Sequence, residues 1–207
     1  MDEVEKIVNY LIMYNRNIPL NSLYHGKMGV MVALYIYAVR KQNCDIKEWA
    51  WRGLENVLEN VYENLPVGLE NGFAGIGYGI TLLKKEAGLD CNLNEVLFDI
   101  DHKIMERAPR RVLDISLRTG ARGIWSYLKF RQETEPMLLS VDNVYRKELK
   151  TVLEHYGINT ETIRSDEVFL DLKHPTWSRS EYIGKDVGIS EGVAYYLLKE
   201  LNLIKGL

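Results

Sequence analysis

The sequence predicts an all-α fold assembled from repeated helical hairpins, and three observations carry that prediction. The five prolines fall at Pro19, Pro66, Pro109, Pro136 and Pro175. The stretches between them place apolar residues at helical spacing, where an interior proline would break the hydrogen-bond ladder. Two kinds of helical segment alternate, amphipathic ones and shorter ones apolar on most sides. Each apolar segment opens on a pair of nearby glycines, and this opening returns along the chain at intervals suited to a hairpin repeat.

Taken in order, Val4, Ile7, Val8 and Leu11 form the first apolar stripe. GVMVALYIYAV reads as a buried helix, because a helix apolar all round has no face to offer water. Ile46, Trp49, Ala50, Leu54, Val57, Leu58 and Val61 follow as an amphipathic helix of about four turns. GIGYGITLL is the second buried helix, and Leu93, Val96, Leu97, Ile100 and Ile104 mark the amphipathic helix after it. GIWSYLKF is the third. Residues 137–156 form a weaker amphipathic helix, with Val141, Val144, Leu149, Val152 and Leu153 as its stripe. Residues 159–186 read as an irregular insert whose one strand-like run is VFLDL, residues 168–172. GVAYYLLKEL is the last buried helix. The expected architecture has about four inner helices.

Length and composition fit one domain spanning residues 1–207 of the 207-residue chain. Hydrophobic residues make up 46% and charged residues 27%, enough apolar material to exclude wholesale disorder. A net charge of −3 argues against a generic nucleic-acid binder. The two cysteines, Cys44 and Cys91, exclude a disulfide scaffold and a four-cysteine zinc site. The acidic MDEVEKIVNY start lacks a signal-peptide pattern, and the longest apolar run, residues 30–39, is too short to span a bilayer. The chain is therefore expected to be soluble and cytoplasmic.

The glycine openings are His25-Gly-Lys-Met-Gly29, Asn71-Gly-Phe-Ala-Gly75, Thr119-Gly-Ala-Arg-Gly123 and Val187-Gly-Ile-Ser-Glu-Gly192, the last with one extra residue between its glycines. With Gly26, Gly72, Gly120 and Gly188 as the first glycines, the spacings are 46, 48 and 68, the last stretched by the insert. Two readings stand side by side. The glycines let neighbouring backbones approach closely, or bare N–H groups at the helix starts face a common site.

The segments LYHGKMGV, LENGFAGIGYGI and DISLRTGARGIWSYL resemble the opening repeats of lanthionine synthetase C-like proteins. The resemblance covers nearly all of the chain and is loose over the insert. It implies an α/α toroid with short helices inside and amphipathic helices outside. It also implies zinc-dependent addition of cysteine thiols to dehydrated residues of a peptide. In that family zinc is held by two cysteines and a histidine, in Trp-Cys-x-Gly and Cys-His-Gly motifs just before late glycine pairs. Zinc activates a thiol only if its ligands leave one position open. The corresponding residues here are Tyr24-His25, Glu70-Asn71, Arg118-Thr119 and Asp186-Val187, and Cys-His-Gly is absent. Cys44 and Cys91 follow the buried helices, at the far end of each hairpin from the glycines. No zinc, no other cofactor and no cyclase activity are therefore expected. Closing a six-hairpin ring would take roughly 280 residues, so the ring is expected to be open, completed by a second copy or replaced by a smaller bundle.

Single residues add candidate binding positions. His25 precedes the first glycine, where a helix start favours a neutral imidazole suited to proton transfer; it equally suits a turn cap. Arg118 and Arg122 flank the third opening, within a segment, residues 103–131, that carries +6 while the remainder carries −9. That stripe is either an anion site or a solvated face. Glu70, Asp186 and Glu191 sit at helix starts, where the dipole alone favours acids, and Asn71 stands directly before the first glycine of the second opening as a further candidate. Many of the 13 tyrosines crowd the inner helices, as a wet concavity or as core residues with tethered hydroxyls. The expected function is a non-catalytic peptide-binding or assembly module related to peptide modification. The alternative is a metal-free enzyme, peptide-modifying or glycoside hydrolase-like, with His25 and helix-start carboxylates as acid and base. Expected partners are a peptide or a peptide-maturation protein. The apolar last helix is expected to pack within the chain, which favours a monomer over a homodimer. Elemental analysis of the purified protein should find no stoichiometric zinc; one zinc per chain, lost in Cys91→Ala, would be the contrary result.

Overall fold

The computed structural model describes residues 2–15, 18–61, 65–137 and 140–204. Among these residues every regular element is helical and there is no strand. The chain divides into two compact units, Met1–Val61 with Phe169–Leu207, and Tyr62–Val168.

The first unit holds α1 (Glu3–Tyr14), α2 (Lys27–Arg40), α3 (Cys44–Glu59) and α10 (Val193–Glu200). Asp2 caps α1 in a capping box with Glu5, and Ile7, Val8, Tyr10 and Leu11 turn inward. The helix α2 is buried without interruption from Met28 to Ala38. It packs on α3 and on α10, and α10 packs in turn on α1. Gly53 marks the closest α2–α3 approach, since a Cβ there would lie 2.2 Å from the Met31 sulfur. Tyr195 and its neighbours on α10 are buried within the chain, as expected for its last apolar helix.

The second unit holds α4 (Phe73–Ala87), α5 (Leu93–Val96), α6 (Phe98–Met105), α7 (Ala121–Thr134) and α8 (Asn143–His155). Here α4 and α7 are the inner pair, covered by α6 and α8 respectively. Gly77 admits the Tyr127 ring, which a Cβ would meet at 2.6 Å. The single amphipathic helix expected over residues 93–104 is broken at Leu97, although Leu97 and Asp101 still donate to Leu93 and Leu97 at 3.0 and 2.9 Å.

The strand-like VFLDL run is corrected: Glu167–Asp171 is a short helix, α9. The insert before it is irregular but tied down. Trp125, Ser126 and Lys129 of α7 donate to the carbonyls of Thr160, Arg164 and Ile163, and Tyr78 of α4 donates to Ser165 at 2.9 Å. Side chains thus satisfy backbone acceptors that no ladder reaches.

The four glycine openings share one local structure. The first amide of each inner helix donates to the carbonyl seven residues back: Lys27 to Leu20, Phe73 to Pro66, Ala121 to Asp114 and Val193 to Asp186, at 2.7–2.9 Å. Gly26, Gly72, Gly120 and Gly192 are the N-caps, all in extended conformation. This corrects the register of the fourth copy. Gly192, not Gly188, corresponds to Gly26, and the aligned loops read LNSLYHG, PVGLENG, DISLRTG and DVGISEG. Gly188 is instead the counterpart of Gly68. The N-cap glycine is required by space rather than by φ, because a Cβ on Gly120 would lie 2.2 Å from the Asp114 carbonyl oxygen. Gly29 and Gly123 meet the Leu23 and Leu117 carbonyls just as closely.

Gly120→Ala should therefore destabilise the protein by about 1–3 kcal/mol or more. The thermal midpoint should fall by about 2–4 °C per kcal/mol for a chain of this size. An unchanged midpoint in a calorimetric scan would show that the loop carbonyl can move aside.

Candidate functional site

The loops meet in pairs, and both units use the same contact. In the second unit the Glu70 amide donates to the Arg118 carbonyl at 2.8 Å, and Gly68 lies against the backbone of Arg118 and Thr119. In the first, the Ser190 amide donates to the Tyr24 carbonyl at 3.1 Å, and Gly188 lies against Tyr24 and His25. Side chains are lacking at Gly68 and Gly188 because two backbones touch there. The first amide of each inner helix is consumed by its own loop, and Gly68 and Gly188 mark close backbone contacts, which supports the close-approach reading of the glycines.

Of the candidate binding residues, His25 and Asp186 belong to the first unit. His25 is half-buried beside Tyr24, and exposed Asp186 accepts from the Gly188 amide at 3.3 Å. Its counterpart Asp114 accepts from the Thr119 hydroxyl and from the Ser116 amide at 2.8 Å, which together hold its carboxyl below the usual range. Both aspartates brace the turns they sit in. Glu70, Asn71, Arg118 and Arg122 belong to the second unit. Glu70 pairs with Arg118 at 3.2 Å, Arg122 grips Glu167 through two hydrogen bonds at 2.8 and 3.0 Å, and Asn71 is exposed.

The basic stripe over residues 103–131 is largely answered by partners from elsewhere in the second unit. Glu148 meets Arg110 at 2.9 Å, and Lys129 is spent on insert carbonyls. Arg131, which composition placed on a basic surface, is wholly buried in an ion pair with the buried Asp101. Asp101 also accepts from the Tyr127 hydroxyl at 2.6 Å and from Ser140 at 2.5 Å, and Arg131 donates to Asn94 at 3.0 Å and to Ser140 at 3.2 Å. Burial, then the Asp101 charge, push the Tyr127 phenol well above its ordinary pKa. The sequence carried one trace of this network: Tyr127 and Arg131 lie four apart on α7.

The inner-helix tyrosines behave as core residues. Tyr78, Tyr127 and Tyr196 are buried, and their hydroxyls donate to Ser165, Asp101 and Trp177. The residues present do not fit a catalytic zinc. Ahead of the N-cap glycines stand Tyr24-His25, Glu70-Asn71, Arg118-Thr119 and Ser190-Glu191, with no thiol among them. Cys44 opens α3 in the first unit, while Cys91 follows α4 in the second, where burial raises its thiol pKa and disfavours the thiolate that zinc needs.

A cleft of about 600 Å³ in the second unit contains none of the six candidate residues. Its apolar wall is Leu65, Val67 and Phe73, the loop and first residue that lead into α4. Its other wall is mainly basic, with Lys103 on α6, Glu106 and Arg107 on the connection after it, and Arg111 in the 3-10 turn at Pro109–Arg111. Lys103 pairs with Glu106 at 3.0 Å. Arg107 and Arg111 are exposed and make no ion pair among the described residues. Such a cleft can hold a carboxylate-bearing chain by charge while covering its apolar parts. Compared with protein-family models and with curated proteins, the chain has no match in either. No helix among the described residues is long and apolar enough to cross a membrane.

Removing one partner of the buried pair, as in Arg131→Met or Asp101→Leu, should cost about 3–5 kcal/mol, because the other charge is left uncompensated. The double variant should recover much of that loss in urea unfolding. A double variant as unstable as the sum of the singles would show that the two charges do not depend on one another.

Proposed function

We propose that this chain is a lanthionine synthetase C-like module that binds an acidic peptide and does not catalyse ring closure. Its four glycine-capped inner helices form a toroid-like single domain, and its setting is cytoplasmic peptide maturation, as a monomer. The single observation that carries the reading is the cleft in which Arg107 and Arg111 face Leu65, Val67 and Phe73. A guanidinium offers two parallel donors to a carboxylate, and two of them on one wall suit a run of acidic side chains better than a single small anion. The absence of Cys-His-Gly supports binding over catalysis, and the four aligned loops support the family resemblance.

Fluorescence anisotropy tests this with labelled peptides of alternating Asp and Ser, or of alternating Lys and Ser. The acidic peptide should bind and the basic one should not, with affinity falling as salt screens the arginines. The Arg107→Glu/Arg111→Glu variant changes two exposed side chains and should fold normally, yet weaken binding by about tenfold or more, on the order of 1.4 kcal/mol. Equal binding of both peptides, or an unaffected variant, would overturn the reading.

A further inference from the structure

The second unit has another groove, about 460 Å³, to which the Pro109–Arg111 turn contributes Arg110. Val112 forms one wall, and α8 supplies Val144 and Val152, with Tyr156 at its end. The helix α8 turns Tyr145, Leu149 and Leu153 into the core. Val144, expected in the buried stripe, points elsewhere: it is 63% exposed, and Tyr156 is 49% exposed. A core explains the first set and not the second. Val144 and Val152 lie eight residues apart, a little over two helical turns, and both border the groove. Leu113, next to Val112, is 81% exposed. Apolar surface gathered this way marks a contact site more often than isolated exposed residues do.

The rim of this groove is basic. Arg110 and Lys147 border it, and the one acid on it, Glu148, is engaged by Arg110 at 2.9 Å. Arg110 and Arg111 are neighbours in sequence, and they line different clefts, Arg111 the first and Arg110 this one. The turn therefore contributes a side chain to each: Arg111 to the basic cleft and Arg110 to the apolar groove. One extended chain advances about 3.3 Å per residue, so a few residues can serve side-chain sites that share one short turn.

We propose that the groove takes an apolar side chain of the same acidic peptide, so that the ligand class is an apolar anchor next to a run of carboxylates. This rests on the peptide-binding reading of the first cleft. The rim charge selects the occupant: Glu148 answers Arg110, which leaves Lys147 as the net charge of the rim, so a segment with basic flanks would meet it unfavourably and one with acidic flanks is drawn to it. The apolar anchor supplies affinity and the carboxylates supply orientation.

The test compares two labelled probes on the full chain, the alternating Asp and Ser peptide and the same peptide carrying a Leu-Phe pair beside its acidic run. The Leu-Phe probe should bind wild type about tenfold tighter or more, as burial of one large apolar side chain allows. Val144→Glu places an acid in the first turn of α8, where the dipole favours it, so the helix should persist by circular dichroism. That variant should erase the gain while leaving the Asp and Ser peptide bound as before. No gain from Leu-Phe, or a gain that survives Val144→Glu, overturns this inference and leaves the first reading standing. Failure of the Asp and Ser peptide to bind, with Leu-Phe binding still dependent on Val144, overturns the first reading instead. Concentration-dependent self-association by light scattering, abolished in Val144→Glu, would assign the groove to a second copy and overturn the peptide as its occupant.

Discussion

An amide that closes on a carbonyl seven residues back sets the start of every inner helix. This closure consumes donors that would otherwise be orphaned at the helix N-terminus, and it forces the loop to fold under its own N-cap. The space beneath the cap is then too small for a Cβ, so the N-cap must be glycine even though its φ is one any residue adopts. The same compact loop brings a second glycine, Gly68 or Gly188, against the neighbouring loop. In each unit, one steric constraint therefore fixes both the start of the inner helices and the way their loops meet. It also spends the first amide of each inner helix within its own loop.

The two units use this common frame differently. In the first, aromatic rings fill the outer contacts: Tyr10 stacks on Tyr14 with centroids 4.3 Å apart, and Tyr196 lies 5.4 Å from Trp177. The second adds charge. Arg131 and Asp101 are buried with Tyr127, Ser140 and Asn94 around them, while Lys84 and Glu135 pair nearby at 3.0 Å. A buried pair of this kind is weak evidence for added stability but penalises any packing that separates its members. Asp101 on α6 and Arg131 on α7 bracket Tyr127, and the ring of Tyr127 occupies the notch left by Gly77 on α4. Hydrogen bonds thus tie α6 to α7, and the Tyr127 ring packed at Gly77 brings α4 into the same register.

The candidate site follows from where these partners were drawn. Glu70, Glu148 and Glu167 neutralise Arg118, Arg110 and Arg122, so the basic stripe survives as free charge chiefly at Arg107 and Arg111. Both lie on the short connection after α6, opposite the apolar entry to α4. A recognition surface assembled from a connection and a helix face can vary in sequence without disturbing the glycine-capped loops.

Local periodicity determined much of this protein. Helical spacing identified the inner and outer helices, and the paired glycines marked three of the four N-caps, because both signals are written within a few residues of the structure they specify. The irregular insert offers no such period, and the VFLDL run that overlaps α9 has a strand-like pattern although Glu167–Asp171 is helical. Placement of the fourth N-cap needed the Val193-to-Asp186 hydrogen bond, since GISEG contains two glycines and sequence alone cannot say which one caps. The fate of the charges was equally out of reach. Arg131 differs from its exposed neighbours only in having Asp101, thirty residues earlier, delivered to it by α6. The outward turn of Val144 likewise follows from α8 burying Tyr145, Leu149 and Leu153 instead. Sequence determined which segments are helices and where most of them begin; tertiary structure decided which charges are paired and which surfaces remain open, because those outcomes depend on partners far away in the chain.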